Sequence, residues 1–261
     1  MCFASLGSSS EGNSFLVEAE CGAGSGRTSV TRLLLDCGFG LKETERRLAR
    51  LGCGSGDLSA VLVTHEHADH IGSAYGFCAR HGIPLYMSHG THQATAASIG
   101  ARVQDKLRLE FCAADGAFAI GDLRILLYTV PHDAREPIQF VFDDGSRKLG
   151  VLTDAGMSTA YLIEHLRGMD ALVLECIHDR GMLANSSYPP SLKARIGGDF
   201  GHLANEIAAE ILASVKHASL KTVVAAHLSQ QNNTEELATL ALAGALSAAR
   251  QDIHVATQHE G

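Results

Sequence analysis

The densest chemistry in the chain is the run Thr64-His65-Glu66-His67-Ala68-Asp69-His70. Imidazole is the commonest transition-metal ligand, and carboxylate ligation widens the choice from Zn²⁺ to Mn²⁺ or Fe. The apolar stretch Ala60 to Val63 leads into the run, and a helical pattern leaves it. If strand geometry persists at the start, His65 and His67 share a direction, because side chains repeat every two residues. Asp69 and His70 then turn away at the helix start. One stretch can therefore serve two metal ions, His65 and His67 for one, Asp69 and His70 for the other.

Two ions need further ligands, and the chain offers them where apolar runs end. His132 follows Thr129-Val130-Pro131, Asp154 closes Val151-Leu152-Thr153, and His227 closes Val223-Val224-Ala225-Ala226. Singly, each reads equally well as a surface histidine or a turn aspartate. Their shared placement after strands, like that of the first run, marks them as candidates.

The elements that must position these groups are legible as apolar runs of strand length. They are Phe15 to Val17, Leu33 to Leu35, Ala60 to Val63, Ile125 to Leu127, Phe140 to Phe142, Leu149 to Leu152, Ala171 to Leu174 and Val223 to Ala226. Helical periods cover Leu41 to Leu51, Ala68 to His81, the repeat Leu203-Ile207-Ile211-Val215, and about Thr234 to Arg250. Asn233 and Glu236 have capping-box spacing at the start of the last. Cys21 to Ser29 reads as a hairpin loop. Each half has a strand meander followed by helices, so two sheets would pack face to face with helices outside. The expectation is an α+β protein of four layers, αββα, in a single domain over residues 1–261.

Composition sets the limits. The 261 residues are 46% hydrophobic and 19% charged, a globular balance. Lys and Arg number 21 against 29 Asp and Glu, a formal charge of −8, which argues against a protein that coats nucleic acid non-specifically. Histidine, at 14, is the outlying count. Seven cysteines contain no C-x-x-C pair, no signal-like leader precedes the first strand, and no apolar run is long enough to span a membrane. A reduced, cytoplasmic protein is expected.

In these motifs the chain resembles the metallo-β-lactamase fold superfamily along nearly its whole length. The ordered features are Asp36 in Leu33-Leu34-Leu35-Asp36-Cys37-Gly38, the H-x-H-x-D-H run, His132, Asp154 and His227. The resemblance implies that His65, His67 and His132 hold one metal, that Asp69, His70 and His227 hold the other, and that Asp154 bridges them. Asp36 would orient the histidine loop from behind. More specifically, the chain is similar to the YycJ/WalJ branch of exonuclease-like metallo-hydrolases. The residues that carry this are Gly7 to Ser14, Pro131-His132-Asp133-Ala134 with Glu136-Pro137, Gly201 to Glu206, and Ala226 to Ser229 with Asn232-Asn233. The chain is too short for a β-CASP insertion.

Glu175 and His202 resemble the catalytic pair of the transfer-RNA 3′-processing endonucleases of this superfamily. Glu175 would fix the tautomer of His202, which would open a helix and act as acid for the leaving oxygen. With Asp69 they form the expected catalytic set. His178 would be an extra ligand or a phosphate contact.

Two divalent ions, Zn²⁺ first and Mn²⁺ also compatible, set against Asp69, Asp154 and a hydroxide, leave a positive cleft suited to a phosphodiester. The expected partner is nucleic acid, DNA before RNA, cut 5′→3′ as the resemblance implies. Lys193 and Arg195, with Arg180 and Tyr188-Pro189-Pro190, could follow a backbone. Ser9 and Asn13 could meet a terminal phosphate. The alternatives are an RNA-processing nuclease, a hydrolase of cyclic phosphodiesters, thioesters or lactones, and a non-catalytic metal-binding module. The lack of a leader disfavours a secreted β-lactamase.

Overall fold

The computed structural model describes residues 1–21 and 29–259. Its first half carries β1 (Cys2–Ser9), β2 (Gly12–Cys21), β3 (Ser29–Leu35), α1 (Leu41–Arg50), β4 (Ala60–Leu62), α2 (Ala68–Ile71), α3 (Ala74–His81), β5 (Pro84–Ser88), α4 (His89–Thr95), α5 (Ala101–Gln104) and β6 (Arg108–Cys112). Its second half carries β7 (Ala117–Ile120), β8 (Leu123–Thr129), β9 (Ile138–Asp143), β10 (Lys148–Leu152), α6 (Ala160–His165), β11 (Ala171–Glu175), α7 (Arg180–Asn185), α8 (Pro190–Ile196), α9 (Asn205–Val215), β12 (Thr222–Ala226), α10 (Glu235–Leu246) and β13 (Ile253–Val255).

The strands form a six-stranded sheet in the order β1-β2-β3-β4-β5-β6 and a seven-stranded sheet in the order β13-β12-β11-β10-β9-β8-β7. Alternation along single strands shows how they stack. Leu33 and Leu35 face the cluster between the sheets, where they meet Phe140, Val151 and Val173. Leu34 faces the opposite way, toward Leu48 of α1 and Phe77 of α3. In the second sheet Val173 and Val224 point inward, while Leu172, Leu174 and Val223 pack outward on Leu162 of α6, Ile211 of α9 and Leu242 of α10. Central strands buried on both faces need apolar residues at every position, which is why they read as unbroken runs. The architecture is the four-layer αββα sandwich.

Local differences from the sequence reading have local causes. The segment Ala68 to His81 is two helices, because Gly72 takes a φ of 32° and breaks the ladder. The cap of α10 is Thr234, whose side chain accepts from the Leu237 N–H, and Asn233 bonds elsewhere. The helix ends at Leu246, with Ser247 in the left-handed region, well short of Arg250. His202 does not open a helix: α9 starts at Asn205, and His202 lies in the loop before it. β2 and β3 are antiparallel, with Cys21 opposite Ser29. The expected loop between them, residues 22–28, lies outside the described residues. No helix is long and apolar enough to cross a membrane among the described residues.

Candidate active site

The site lies at the carboxyl ends of the inner strands, where β4, β8, β10, β11 and β12 each release a loop. Thr64 to His70 leaves β4. Its course is set by Asp36, just beyond β3, held at a φ of 58°. Left-handed backbone at a non-glycine residue costs energy and persists only where its surroundings require it. Here Asp36 Oδ1 accepts from the Thr64 N–H at 2.8 Å, and Oδ2 accepts from His70 Nδ1 at 2.8 Å. Gly38 packs so closely that a Cβ would overlap the Asp69 carbonyl, which lets α2 dock against the β3 loop.

Each ligand histidine is fixed through one ring nitrogen, leaving the other for the centre. His65 Nδ1 bonds Thr64 Oγ1 at 2.9 Å. His132 Nδ1 donates to the Gly201 carbonyl at 2.9 Å, and His227 Nδ1 to the Thr153 carbonyl at 2.9 Å. His67 is held by Nε2 on the Asp133 carbonyl at 3.2 Å, so its Nδ1 faces His132 Nε2. Such outer partners set the tautomer and aim of metal-binding imidazoles. His227 also adopts a positive φ, 57°, and its N–H donates to Ser8 Oγ at 2.9 Å.

Three clusters join the candidate ligands, each with ligand atoms within 4.8 Å of one another: His65, His67 and His132; Asp69, His70 and His227; and His65, His70 and Asp154; a fourth of the same spacing joins Asp154 and His227 to Glu175 and His202. They adjoin through His65, His70 and Asp154. The donor set itself tests whether cations belong here. His65 Nε2 is buried without a hydrogen-bond partner, and the buried Asp154 oxygens are met only by histidine nitrogens of the same clusters, His70 Nε2 at 3.0 Å from Oδ2 and His227 Nδ1 at 3.2 Å from Oδ1. Such atoms are costly to bury unless something else satisfies them. Asp154 stays ionised although burial opposes it, because His227 and His70 hold its pKa well below the usual range. Burial lowers His65 strongly and brings His132 down to about 4, which leaves these two neutral, whereas the carboxylates of Asp154 and Asp69 raise His70 and His227, whose protons a bound cation would displace. Five imidazoles and two carboxylates fit two divalent cations.

Beside the clusters, Glu175 ends β11 fully buried. Its Oε1 accepts from His202 Nδ1 at 2.7 Å, while Oε2 accepts from the Ala155 N–H at 2.9 Å and from the Leu203 N–H at 3.3 Å. One carboxylate thus ties the Asp154 loop to the His202 loop. His202 Nδ1 lies 3.4 Å from Asp154 Oδ1. Burial pulls the His202 ring down, but Glu175 and Asp154 outweigh it and its pKa is raised.

Of the side chains expected to contact substrate, three are engaged within the protein. Ser9 is buried, its hydroxyl bonded to Gln258 Oε1. Asn13 is buried too, and its Nδ2 donates to Asp69 Oδ2 at 3.2 Å, so it buttresses a ligand and does not face solvent. Arg195 turns back onto Asp133 Oδ2 at 2.5 Å and steadies the His132 loop. Lys193 lines a cavity, with one donor committed to the Ala184 carbonyl at 2.7 Å. His178 joins none of the ligand clusters. It is almost fully buried and its Nδ1 has no partner. Sequence reasoning missed Ser8, Thr64 and Gly201 as supports and Phe200 as an exposed ring near His202. Their one signal was position, each being next to or within a motif.

Residues 31–228 match the family described as "Beta-lactamase superfamily domain". The chain is 34% identical over 244 residues to "Exodeoxyribonuclease YycJ" of Bacillus anthracis, covering 94% of this chain and 88% of that protein. It is 32% identical to "Exodeoxyribonuclease WalJ" of Streptococcus pneumoniae, covering 94% and 87%. Among solved structures, the metallo-β-lactamase fold protein YhfI of Bacillus subtilis superposes with a TM-score of 0.72 at 16% identity, over 98% of this chain and 96% of that one. With its ordered ligand motifs brought together as the fold requires, the chain belongs to the metallo-β-lactamase superfamily and, within it, to the YycJ/WalJ family.

Proposed function

We propose that this protein is a metal-dependent exonuclease that hydrolyses phosphodiester bonds of DNA. The observation that carries this is the placement of His202. Its Nδ1 is committed to Glu175, and it stands 3.4 Å from Asp154, beside the ligand clusters. A proton donor set beside a cation site suits a substrate that develops charge on a leaving oxygen. The names of the two bacterial relatives, exodeoxyribonucleases, point to the same chemistry on DNA.

His65, His67 and His132 would hold one ion, Asp69, His70 and His227 the second, with Asp154 between them. When bound, such ions lower the pKa of water and neutralise charge building on the phosphate. The imidazole-rich donor set suits Zn²⁺ and accepts Mn²⁺. The chain's own residues do the rest. His202 gives its Nε2 proton to the departing oxygen. Glu175 holds that imidazole in the required tautomer and raises its proton affinity. Asp36 and Thr64 keep the histidine run from shifting when an anion enters. Among the described residues six cysteines are free, five of them buried, which suits the reducing cytoplasm as its place of action.

The test is digestion of end-labelled single-stranded DNA and RNA by metal-reconstituted protein, with product lengths resolved. A mononucleotide ladder from one end of the DNA, formed faster than any RNA product, is the expected outcome. Hydrolysis of an acyl-glutathione or a lactone with intact DNA would overturn the reading, and faster RNA cleavage would move it to RNA processing.

A further inference from the structure

The mechanism leaves one large feature unused. A cavity of about 660 Å³ begins at His202 and runs away from the ligand clusters. Its size falls in the range that encloses a single small ligand. His178, Arg180, Lys193 and Met157 are among its lining residues.

Three features of the cavity point to its guest. His202 is bonded through Nδ1, so the nitrogen left to donate is Nε2, and whatever is attached to the leaving oxygen must lie beside it. Arg180 and Lys193 supply cationic donors, with Arg180 exposed and only 3.7 Å from Glu206 as a competing partner. Asp199 and Glu210 also line the cavity, so its formal charge is balanced and it does not attract a long polyanion. That lining suits a guest with one phosphate. His178, buried with an unpartnered Nδ1, offers a hydrogen bond inside the cavity wall. Burial lowers its pKa to about 4, so it meets a neutral sugar or base group and not a phosphate. Phe200, 63% exposed, follows the lining residue Asp199 directly in sequence and offers an exposed ring for base stacking.

Resting on the exonuclease reading above, we propose that this cavity seats the departing terminal nucleotide and recognises its 5′-phosphate through Arg180 and Lys193, with His178 on its sugar or base. The chemistry fixes which bond breaks. If the leaving oxygen were O5′, the departing fragment would be a nucleoside without its own phosphate, and Arg180 and Lys193 would meet no anion on it. If it is O3′, the departing fragment carries a 5′-phosphate. Water oxygen then bonds to phosphorus, the P–O3′ bond breaks, O3′ keeps the electron pair and takes the Nε2 proton of His202, and the water proton passes to solvent. The products are a nucleoside 5′-monophosphate and a strand one residue shorter that again begins with a 5′-phosphate.

The test compares matched oligodeoxynucleotides with a 5′-phosphate and a 5′-hydroxyl. The native protein should degrade the phosphorylated strand roughly tenfold faster or more, the scale of one charge-assisted hydrogen bond. In the double variant Arg180→Ala/Lys193→Ala this ratio should fall to about one, and in Arg180→Lys/Lys193→Arg it should recover. Equilibrium binding gives a readout apart from turnover. Deoxyadenosine 5′-monophosphate should bind more tightly than the 3′-monophosphate, and His178→Ala should weaken the former severalfold. Thermal melting verifies that each variant is folded. A native ratio near one, or a ratio that survives the double alanine variant, overturns the proposal. If the native protein cleaves neither oligonucleotide nor bis(p-nitrophenyl) phosphate, the exonuclease reading itself fails, whereas cleavage without 5′ preference defeats only this inference.

Discussion

His65, His67, Asp69 and His70 reach the centre from one short run, whereas His132, Asp154, Glu175, His202 and His227 arrive on separate loops of the second half. The first wall is aimed by one carboxylate, Asp36, bonded to both ends of the run. The second wall is tied together crosswise. Glu175 joins the Asp154 and His202 loops, and the Gly201 carbonyl carries His132. A contiguous wall depends on local geometry. A dispersed wall depends on long-range packing, so it should be the more easily loosened by changes that touch no ligand.

Asp154→Ala should have the largest effect, since Asp154 faces both walls. Hydrolysis of a chromogenic phosphodiester should fall to background, with metal content measured by mass spectrometry falling in parallel. Full activity in this variant would break the picture of adjoining cation sites. His202→Ala should cost about 10²–10⁴-fold in kcat, the usual scale for a lost general acid, while metal content is kept. Glu175→Gln should cost roughly 10–100-fold, the scale typical of an outer partner of a site residue. An intact rate there would show that the second wall does not need its cross-tie. Gly201→Ala would press a Cβ onto the Arg195 and Ile196 carbonyls. It should destabilise by about 1–3 kcal/mol and weaken metal retention through His132, as read by urea unfolding and by chelator challenge.

The smallest effect belongs to a residue outside both walls. Arg46, and then Arg47 against a modest opposing burial, hold the Glu43 carboxyl down at about 2 from its ordinary 4.5. The shift is a depression, so its stabilisation is present above about 4.5 and is lost as pH falls toward 2. The carboxylate is 34% exposed. Solvent screening therefore limits Glu43→Gln to under ~1 kcal/mol at neutral pH. The gap between variant and native urea midpoints should close on acidification.

What could be read from the chain follows the same division. Central strands were legible because burial on both faces forces unbroken apolar runs. β6 was not, because it is an edge strand whose Arg108, Glu110 and Phe111 are all exposed, so no unbroken apolar run marks it. β13 is only three residues long and too short to carry a pattern. The candidate ligands stood out because their types and order are those that metal chemistry constrains. The roles of Ser9, Asn13 and Arg195 were not, because a polar side chain near a motif can face the solvent or brace the motif, and only packing decides. Asn13 bonds Asp69 because α2 docks over Gly38, a contact between segments far apart in sequence.

Arg47 lies buried in α1, its guanidinium bonded to the Leu6 carbonyl and to the Gln258 carbonyl at 2.7 Å. Beside it the Ser8 N–H donates to the Thr257 carbonyl at 3.0 Å, and Ser8 in turn accepts from the His227 N–H. This gives assembly an order in time. The segment bearing Thr257 and Gln258 is synthesised after every ligand, so the support behind His227 and Asn13 is closed only once that segment has left the ribosome.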